Sequence, residues 1–454
     1  NDPELSGCGL IIFDEFHERS VHADLAFALA RDVQLALRDD LTLLLMSATL
    51  ATDYLANELP DANFIESSGR SFPIELSYQP PKPQEFWRHH ATRVINQTIQ
   101  THQGSILVFL PGVGDIKAIA TAIDPSLPSS MKLAPLYGDL SLSQQQQAIA
   151  PTTGFNKIVL ATNIAETSLT IEGINLVIDC GFEKVAVYDN QSLTNRLVQQ
   201  PISKASATQR AGRAGRLMAG QCIRLFGEEG FNRRLEQPVS DILQTDLLPV
   251  LIEAARWGVT ALSDLPMLEL PAEKKEQLAW QELISLNIVN EKHQLTQQGI
   301  NVASLPTHPR FASMLVQAVD IEKAHKVDGL TMLACAIAAL LEERDIFQRD
   351  STERKGSHGR NGNADLRLRV NALINDSNTR YARITKQAKQ LANAMNISHS
   401  PSHFRQVPME YCGELLALAY PERIAKKRTG GSNKADSVAY LCANGKGLSL
   451  SIDD

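Results

Sequence analysis

The chain has 454 residues, with 44 Lys and Arg against 51 Asp and Glu, for a formal charge of −7. At roughly 100–200 residues per domain, that length implies three or four domains with real cores. Hydrophobic residues at 43 % and charged residues at 21 % exclude a disordered or collagen-like chain, and the longest apolar run, Leu330–Leu341, falls well short of the ~20 residues a membrane span needs.

The start, Asn1-Asp2-Pro3-Glu4, is polar and acidic, with neither an initiator Met nor a secretory signal. The end follows closely on an apolar Leu448–Ile452 run, so the sequence reads as a segment cut at both ends. Short apolar runs predict strands at Gly9–Phe13, Thr42–Met46, Ile74–Tyr78, Ser105–Leu110, Lys132–Pro135, Lys157–Ala161 and Asn175–Asp179. Amphipathic stretches between them, Val21–Arg38, Glu85–His102 and Ile116–Ile123, predict helices. This alternation implies an α/β architecture of parallel sheets covered on both faces. A boundary between two lobes is expected near Gly69–Phe72, ahead of the Pro80-Pro81-Lys82-Pro83 interruption.

Beyond about residue 235 the pattern turns helical. Helices are expected at Asp241–Gly258, Lys274–Leu286, Phe311–Val319 and Asp328–Glu343, with a short strand at Gln294–Thr296. A polar Gly/Ser/Asn stretch, Gly356–Asn363, reads as a loop or linker. Arg367–Asn375 and Tyr381–Ala394 read as basic helices. Gly430-Gly431 and Gly445–Gly447, set between short alternating runs, announce a small β module.

The six cysteines (8, 180, 222, 335, 412 and 442) are scattered, with no CxxC pair and no His at metal-ligand spacing. Free thiols in a reducing cytoplasm is the expectation, with no zinc site. Charge is unevenly shared. Residues 349–434 hold 16 Lys and Arg against 7 Asp and Glu, a net +9; residues 435–454 carry −2, which leaves −14 for residues 1–348. A basic C-terminal third on an acidic body points to an anionic partner, with a solvated helical face as the plain alternative.

Four polar clusters follow or end predicted strands. Asp14-Glu15-Phe16-His17 ends the first, where polar side chains line the ligand crevice of an open parallel sheet. Adjacent acids there suit phosphoryl transfer: one carboxylate holds Mg²⁺ through its waters and the next orients the attacking water. The alternative is that both merely cap the following helix. Ser47-Ala48-Thr49 ends the second strand, as a hydroxyl bridge or as an ordinary turn. Ala161–Thr170 follows another strand with hydroxyls and an amide suited to phosphate contacts, or again to a turn. Gln209–Arg216 (QRAGRAGR) sets three arginines at i, i+3 and i+6, predicting guanidinia along one helix edge with glycines for close backbone approach. Such forks stabilise charge building on a transferring phosphoryl group.

Together these clusters resemble motifs II, III, V and VI of superfamily-two helicases of the DEAH/RHA class, in order and in strand-end context. The variant Asp-Glu-Phe-His-Glu-Arg-Ser (14–20), with Phe16 where most DEAH proteins have Ala, resembles the bacterial HrpB branch of ATP-dependent RNA helicases. So do Gly413–Arg428 and Ala339–Asp345. The resemblance implies tandem RecA-like lobes: a truncated first lobe over 1–70 and a second over 71–235. A winged helix (236–305), a helical ratchet domain (306–406) and the start of an OB-like module (407–454) would follow. It implies ATP and Mg²⁺ as cofactors and single-stranded nucleic acid, RNA, as partner.

By the same resemblance Asp14 would hold the Mg²⁺ water shell, Glu15 would act as base, and His17 would couple the lobes. Gln209, Arg213 and Arg216 would face the γ-phosphate, and Ser47 and Thr49 would link hydrolysis to movement. Ser168 and Asp179 would lie near the nucleotide, Asp179 at the ribose. Thr162, Asn163, Ser203 and Lys204 would touch the nucleic-acid backbone, and Glu183–Gln199 would form a strand-separating hairpin.

One required part is missing from these residues. No GxxxxGK[ST] phosphate loop occurs in the sequence, and the resemblance would place it upstream of Asn1. The first two strands should then show an exposed apolar edge. Two functions are open: part of a helicase that translocates 3′-to-5′, or a non-catalytic nucleic-acid-binding fragment.

Overall fold

The structure, a computed structural model, describes residues 2, 4–47, 52–67, 72–152, 154–166, 171–216, 218–347, 364–375, 381–397, 407–428 and 437–451. Thr49, Ser168 and the Gly356–Asn363 stretch lie outside the described residues, as does much of the basic 349–434 region. The chain divides into two compact units, one of residues 1–245 with 266–270, the other of residues 246–265 with 271–454.

The first unit opens with β1 (Leu10–Phe13), α1 (Val21–Ala36), β2 (Thr42–Leu45) and α2 (Thr52–Glu58). β1 and β2 pair in parallel, Leu10 with Thr42 through Phe13 with Leu45. Leu10, Ile12 and Leu44 are exposed, at 47 %, 52 % and 41 %. An apolar exposed surface on these two strands is what the sequence predicts. α1 begins where Ser20 accepts a hydrogen bond from the Ala23 N–H at 3.3 Å, as an N-cap hydroxyl should.

A six-stranded sheet follows. Its strands are β3 (Ile74–Tyr78), β4 (Ser105–Phe109), β5 (Met131–Leu136), β6 (Asn156–Ala161), β7 (Ile174–Asp179) and, after a hairpin, β10 (Gly220–Arg224). The order is β3-β10-β7-β4-β6-β5 and every pairing is parallel. Central β4 (SILVF) is buried at all five positions, which is why it reads as a continuous apolar run rather than an alternating one. β5 carries Pro135 and lies at the sheet edge, where a missing N–H is tolerated. The helices α3 (Trp87–Thr101), α4 (Val113–Ile123) and α5 (Leu142–Ile149) connect these strands. The hairpin is β8 (Phe182–Asp189) and β9 (Thr194–Pro201), paired antiparallel from Phe182↔Pro201 to Asp189↔Thr194. α6 (Lys204–Gly212) and the short α7 (Glu228–Asn232) flank β10.

The second unit is mainly helical: α8 (Leu248–Trp257), α9 (Glu273–Ser285), α10 (Gln297–Ala303), α11 (Pro309–His325), α12 (Leu330–Glu342), α13 (Leu366–Asn375), α14 (Ala382–Ala394) and α15 (Cys412–Ala419). The helix expected from Asp241 begins only at Leu248. Pro249 stands at its first turn, where the lost N–H has no intrahelical acceptor; mid-helix it would break the ladder. The strand expected at Gln294–Thr296 is a single antiparallel bridge, Val289↔Leu295. α12 is buried on nearly every face, the expected state of a helix apolar all round. β11 (Ala425–Lys427), β12 (Ser437–Cys442) and β13 (Gly447–Ser451) form a three-stranded antiparallel sheet. Among the described residues no helix is long and apolar enough to cross a membrane.

Arg310, 1 % exposed, ties α11 to its neighbours in this unit. It donates to Glu422 at 3.0 and 3.1 Å and to the Ala419 carbonyl at 2.7 Å, and it also pairs with Glu282 on α9. Burial pushes the Glu282 carboxyl up to about 7; Arg310 opposes the rise, and Asp246 and Glu422 add to it. From about pH 4.5 to about 7 the unfolded chain has released this proton while the folded unit keeps it, so Glu282 makes stability fall as pH rises through that window. Urea unfolding at pH 5 and pH 8 should show a loss on the order of 2 kcal/mol that Glu282→Gln removes. An unchanged difference in the variant would refute the assignment.

Candidate active site

The acidic motif leaves the sheet through a tight turn. Phe16, His17 and Glu18 form one 3-10 turn, flanked by Glu15 at φ 50° and Arg19 at φ 47°. Both are left-handed positions that non-glycine residues seldom take, and such strain persists only where surroundings enforce it. Here the Phe16 N–H bonds to the Met46 carbonyl at 2.9 Å, just beyond β2. Its ring, 2 % exposed, packs edge-on against Phe27 at 5.6 Å and Phe13 at 6.3 Å.

That anchoring leaves the acids outward. Asp14 is exposed, with one carboxylate oxygen accepting from the Glu15 N–H at 2.8 Å. The Glu15 carboxylate is partly exposed and lies 3.5 Å from His17 Nε2. Neither acid caps α1, because Ser20 does. Ser47 is half-buried directly after Met46, so the parallel register Phe13↔Leu45 brings both motifs out at the same sheet end. Among the described residues no group of three or more His, Cys, Asp or Glu could hold a metal. One exposed carboxylate fits Mg²⁺, which keeps several waters and takes other ligands from substrate phosphates.

The second half of the site is built on β6, β7 and α6. Beyond β6, Thr162 is half-buried and Asn163 exposed, at the start of a 3-10 turn over Asn163–Ala165. Glu166 comes next, 8 % exposed. Ser203 is buried and caps α6, accepting from the Ser206 N–H at 3.0 Å. Lys204 pairs with Glu236 at 2.6 Å.

Arg210 is buried, 1 % exposed. Its guanidinium donates to Glu166 Oε2 and Asp179 Oδ1, each at 3.0 Å, and to the Phe182 carbonyl at 3.2 Å. It lies over the Phe109 ring at 4.9 Å. Burial alone would lower its pKa; the Asp179 and Glu166 carboxylates outweigh burial and hold it above the ordinary arginine value.

Asp179 is 0 % exposed, its Oδ1 accepting from Arg210 and from the Gly181 N–H. One expectation needs correction: the arginines do not line one helix edge. α6 ends at Gly212, Arg213 is its C-cap, and the chain turns through Gly215. The turn brings Gly215 onto β3: a Cβ there would sit 2.7 Å from Ile74 and 2.8 Å from the Phe72 carbonyl, whereas one on Gly212 would meet open space. So only Gly215 serves close approach.

Leaving the helix gives Arg213 a different environment from Arg210. Its Nη2 donates to the Glu166 carbonyl. Burial, then the neighbouring Arg216 charge, pulls its pKa down to about 10, while the Glu166 and Glu15 carboxylates oppose the fall. Glu15 is thus one of the charges felt at Arg213, the weakest of those named. Arg216 is exposed and Gln209 half-buried beside them.

Residues 90–218, which carry this second half, match the family described as helicase conserved C-terminal domain. Over all 454 residues the chain is 40 % identical to the ATP-dependent RNA helicase HrpB of Escherichia coli (strain K12), of which it covers 51 %. A crystal structure of the Escherichia coli DEAH/RHA helicase HrpB matches at a TM-score of 0.82 and 40 % identity, over 100 % of this chain and 53 % of that one. Over its whole length the chain is similar to a segment of an HrpB-like DEAH-box helicase. A second relative, the HrpA homolog of Haemophilus influenzae, is 35 % identical over 330 residues, 70 % of this chain and 25 % of its own length. The chain thus spans about half the length of the HrpB relative. Its fold is the mixed α/β helicase architecture with a parallel six-stranded sheet.

Sequence reasoning gave Glu166 no role and grouped Arg210 with the other arginines of its motif rather than in a buried ion pair. A buried pair 44 residues apart leaves no local signal. The one hint was an acid inside an otherwise neutral phosphate-contact run.

Proposed function

We propose that this chain is the part of an ATP-dependent RNA helicase that carries the catalytic acids, the arginines and the nucleic-acid-contacting surface, and that the whole couples ATP hydrolysis to 3′-to-5′ translocation on RNA. The 40 % identity over all 454 residues to an ATP-dependent RNA helicase, with the acids directly after β1 and the arginines at the end of α6, supports this reading. A base for water and a cation for the γ-phosphate are what hydrolysis of ATP requires. Mg²⁺ held through water by Asp14 would neutralise charge on the β- and γ-phosphates. Glu15 takes the proton of the attacking water, and the adjacent His17 orients that carboxylate and couples it to the second lobe. Gln209, Arg213 and Arg216 stabilise the transferring phosphoryl group from the opposite side. Ser168 lies near the nucleotide, and Ser47 and Thr49 link hydrolysis to movement. Thr162, Asn163, Ser203 and Lys204 hold the RNA backbone. Six free thiols suit a reducing cytoplasm.

The absence of GxxxxGK[ST] from these 454 residues favours a second reading for the chain by itself. Without the loop that cradles the phosphates, it binds nucleic acid and does not turn over ATP. The expected results are negligible hydrolysis by the bare chain and salt-sensitive RNA binding. Extended by an upstream segment that supplies the loop, it should show RNA-stimulated ATPase activity, which Glu15→Gln lowers by about 100-fold or more. RNA and single-stranded DNA as competing stimulants decide the substrate. An inactive extended protein, or turnover untouched by Glu15→Gln, would overturn the helicase reading.

A further inference from the structure

We infer that Glu166 is a positioning residue for Arg213: its carboxylate is anchored on buried Arg210, and that anchor places its backbone carbonyl where it holds the Arg213 guanidinium. The inference rests on Arg213 as a γ-phosphate arginine. Its geometric half stands without that reading.

The argument begins with what fixes each atom. Arg213 sits just past the end of α6, tied by its own N–H to the Arg210 carbonyl at 3.1 Å. A helix C-terminus constrains the backbone there, but a long side chain still has several rotors to settle. Glu166 supplies an acceptor, its carbonyl, to Arg213 Nη2. A carbonyl at the end of a short turn is a poor reference point unless something holds the turn. The Glu166 side chain does this, accepting from Arg210 Nε at 3.0 Å. Arg210 is itself locked by Asp179 and Phe182 and lies over Phe109. All three charged members are nine-tenths or more buried, so solvent competes little for these bonds.

The chain order gives the clamp a further consequence. Glu166 directly follows the turn over Asn163–Ala165, so the residue that sets Arg213 stands three positions from Asn163, proposed to touch RNA. A displacement of that turn on RNA binding moves the Glu166 carbonyl, and with it the arginine charge. Loss of the Glu166 carboxylate leaves Arg210 still paired with Asp179. The fold keeps its buried ion pair while the carbonyl to which Arg213 donates loses its anchor. This separates a positioning role from a merely structural one.

The test reads Arg213 directly. Modification of arginines by phenylglyoxal, followed site by site by mass spectrometry, should leave Arg213 slow and exposed Arg216 fast in the chain as it stands. Glu166→Ala should raise the Arg213 rate several-fold with the Arg216 rate unchanged. The isosteric Glu166→Gln, which keeps the fold if alanine does not, should lie between. In the loop-containing protein, Glu166→Ala should lower kcat by about tenfold or more with KM altered less than twofold, and should weaken the dependence of kcat on RNA. An Arg213 rate unchanged in both variants overturns the inference. So does a faster Arg213 rate with kcat intact. If the unsubstituted loop-containing protein hydrolyses no ATP, the helicase reading fails by itself, and the modification rates still decide whether Glu166 positions Arg213.

Discussion

Arg210→Met should destabilise the first unit by about 3–5 kcal/mol, among the largest single-residue losses open to it. The substitution removes the cation between Glu166 and Asp179, which are 8 % and 0 % exposed, and leaves both carboxylates buried against little but each other. The cost comes from the stranded acids rather than from the lost attraction, because an ion pair in such a site repays its desolvation only partly. That origin has a measurable consequence. Arg210→Met combined with Glu166→Gln and Asp179→Asn should recover most of the loss, since asparagine still accepts the Gly181 N–H that Asp179 now takes at 2.8 Å. Trp87 packs on Phe182 at 6.0 Å within this unit, so urea unfolding followed by its fluorescence, with Trp257 and Trp280 replaced by Phe, reports the right transition. A single-variant loss below about 1 kcal/mol, or a triple variant no better than the single, would show that the network is not organised around Arg210.

The same network marks where the sequence could and could not be read. Strands β3 to β7 follow from apolar runs, signals local to each segment, whereas the β8–β9 hairpin was expected only from the family resemblance. The start of α8 was placed too early, at Asp241, although Pro249 can stand in a first turn but not inside a helix running from there. The arginine motif misled because its spacing is helical while its structure is not. Gly215 must reach the backbone of Phe72, and that tertiary demand ends α6 at Gly212. The ion pair of Asp179 with Arg210 was not legible for a related reason. An acid at a strand end looks the same whether it meets a ligand or a buried cation, and here the cation comes from a helix 31 residues away. Residue types and order carried the expectation about the chemistry of the site. Which arginine is locked in a buried ion pair depended on contacts far apart in the chain.

Phe16→Ala should cost the first unit about 3–5 kcal/mol, although alanine is the usual residue at this position of the motif. The ring is 2 % exposed and fills a cluster with Phe13, Phe27, Leu55 and Leu268. The neighbours that would have to shrink the cavity are themselves large side chains on β1, α1 and α2, so collapse is limited and the cavity cost adds to the lost transfer energy. The loss should also reach the chemistry. Packing of Phe16, together with its N–H to the Met46 carbonyl, helps hold the turn in which Glu15 occupies a left-handed conformation at φ 50°. With the ring gone, the turn loses its buried anchor and Glu15 can relax more readily out of that conformation. Hydrogen exchange at residues 16–18 should therefore accelerate more than exchange in β4. In the loop-containing protein, kcat should fall at temperatures where the variant is still folded. Phe16→Leu, which keeps most of the volume, should lose less than about 1.5 kcal/mol and retain most turnover. If Phe16→Ala were as stable as the parent, or lost stability without accelerating exchange at the turn, the acidic pair would not be held by its aromatic neighbour.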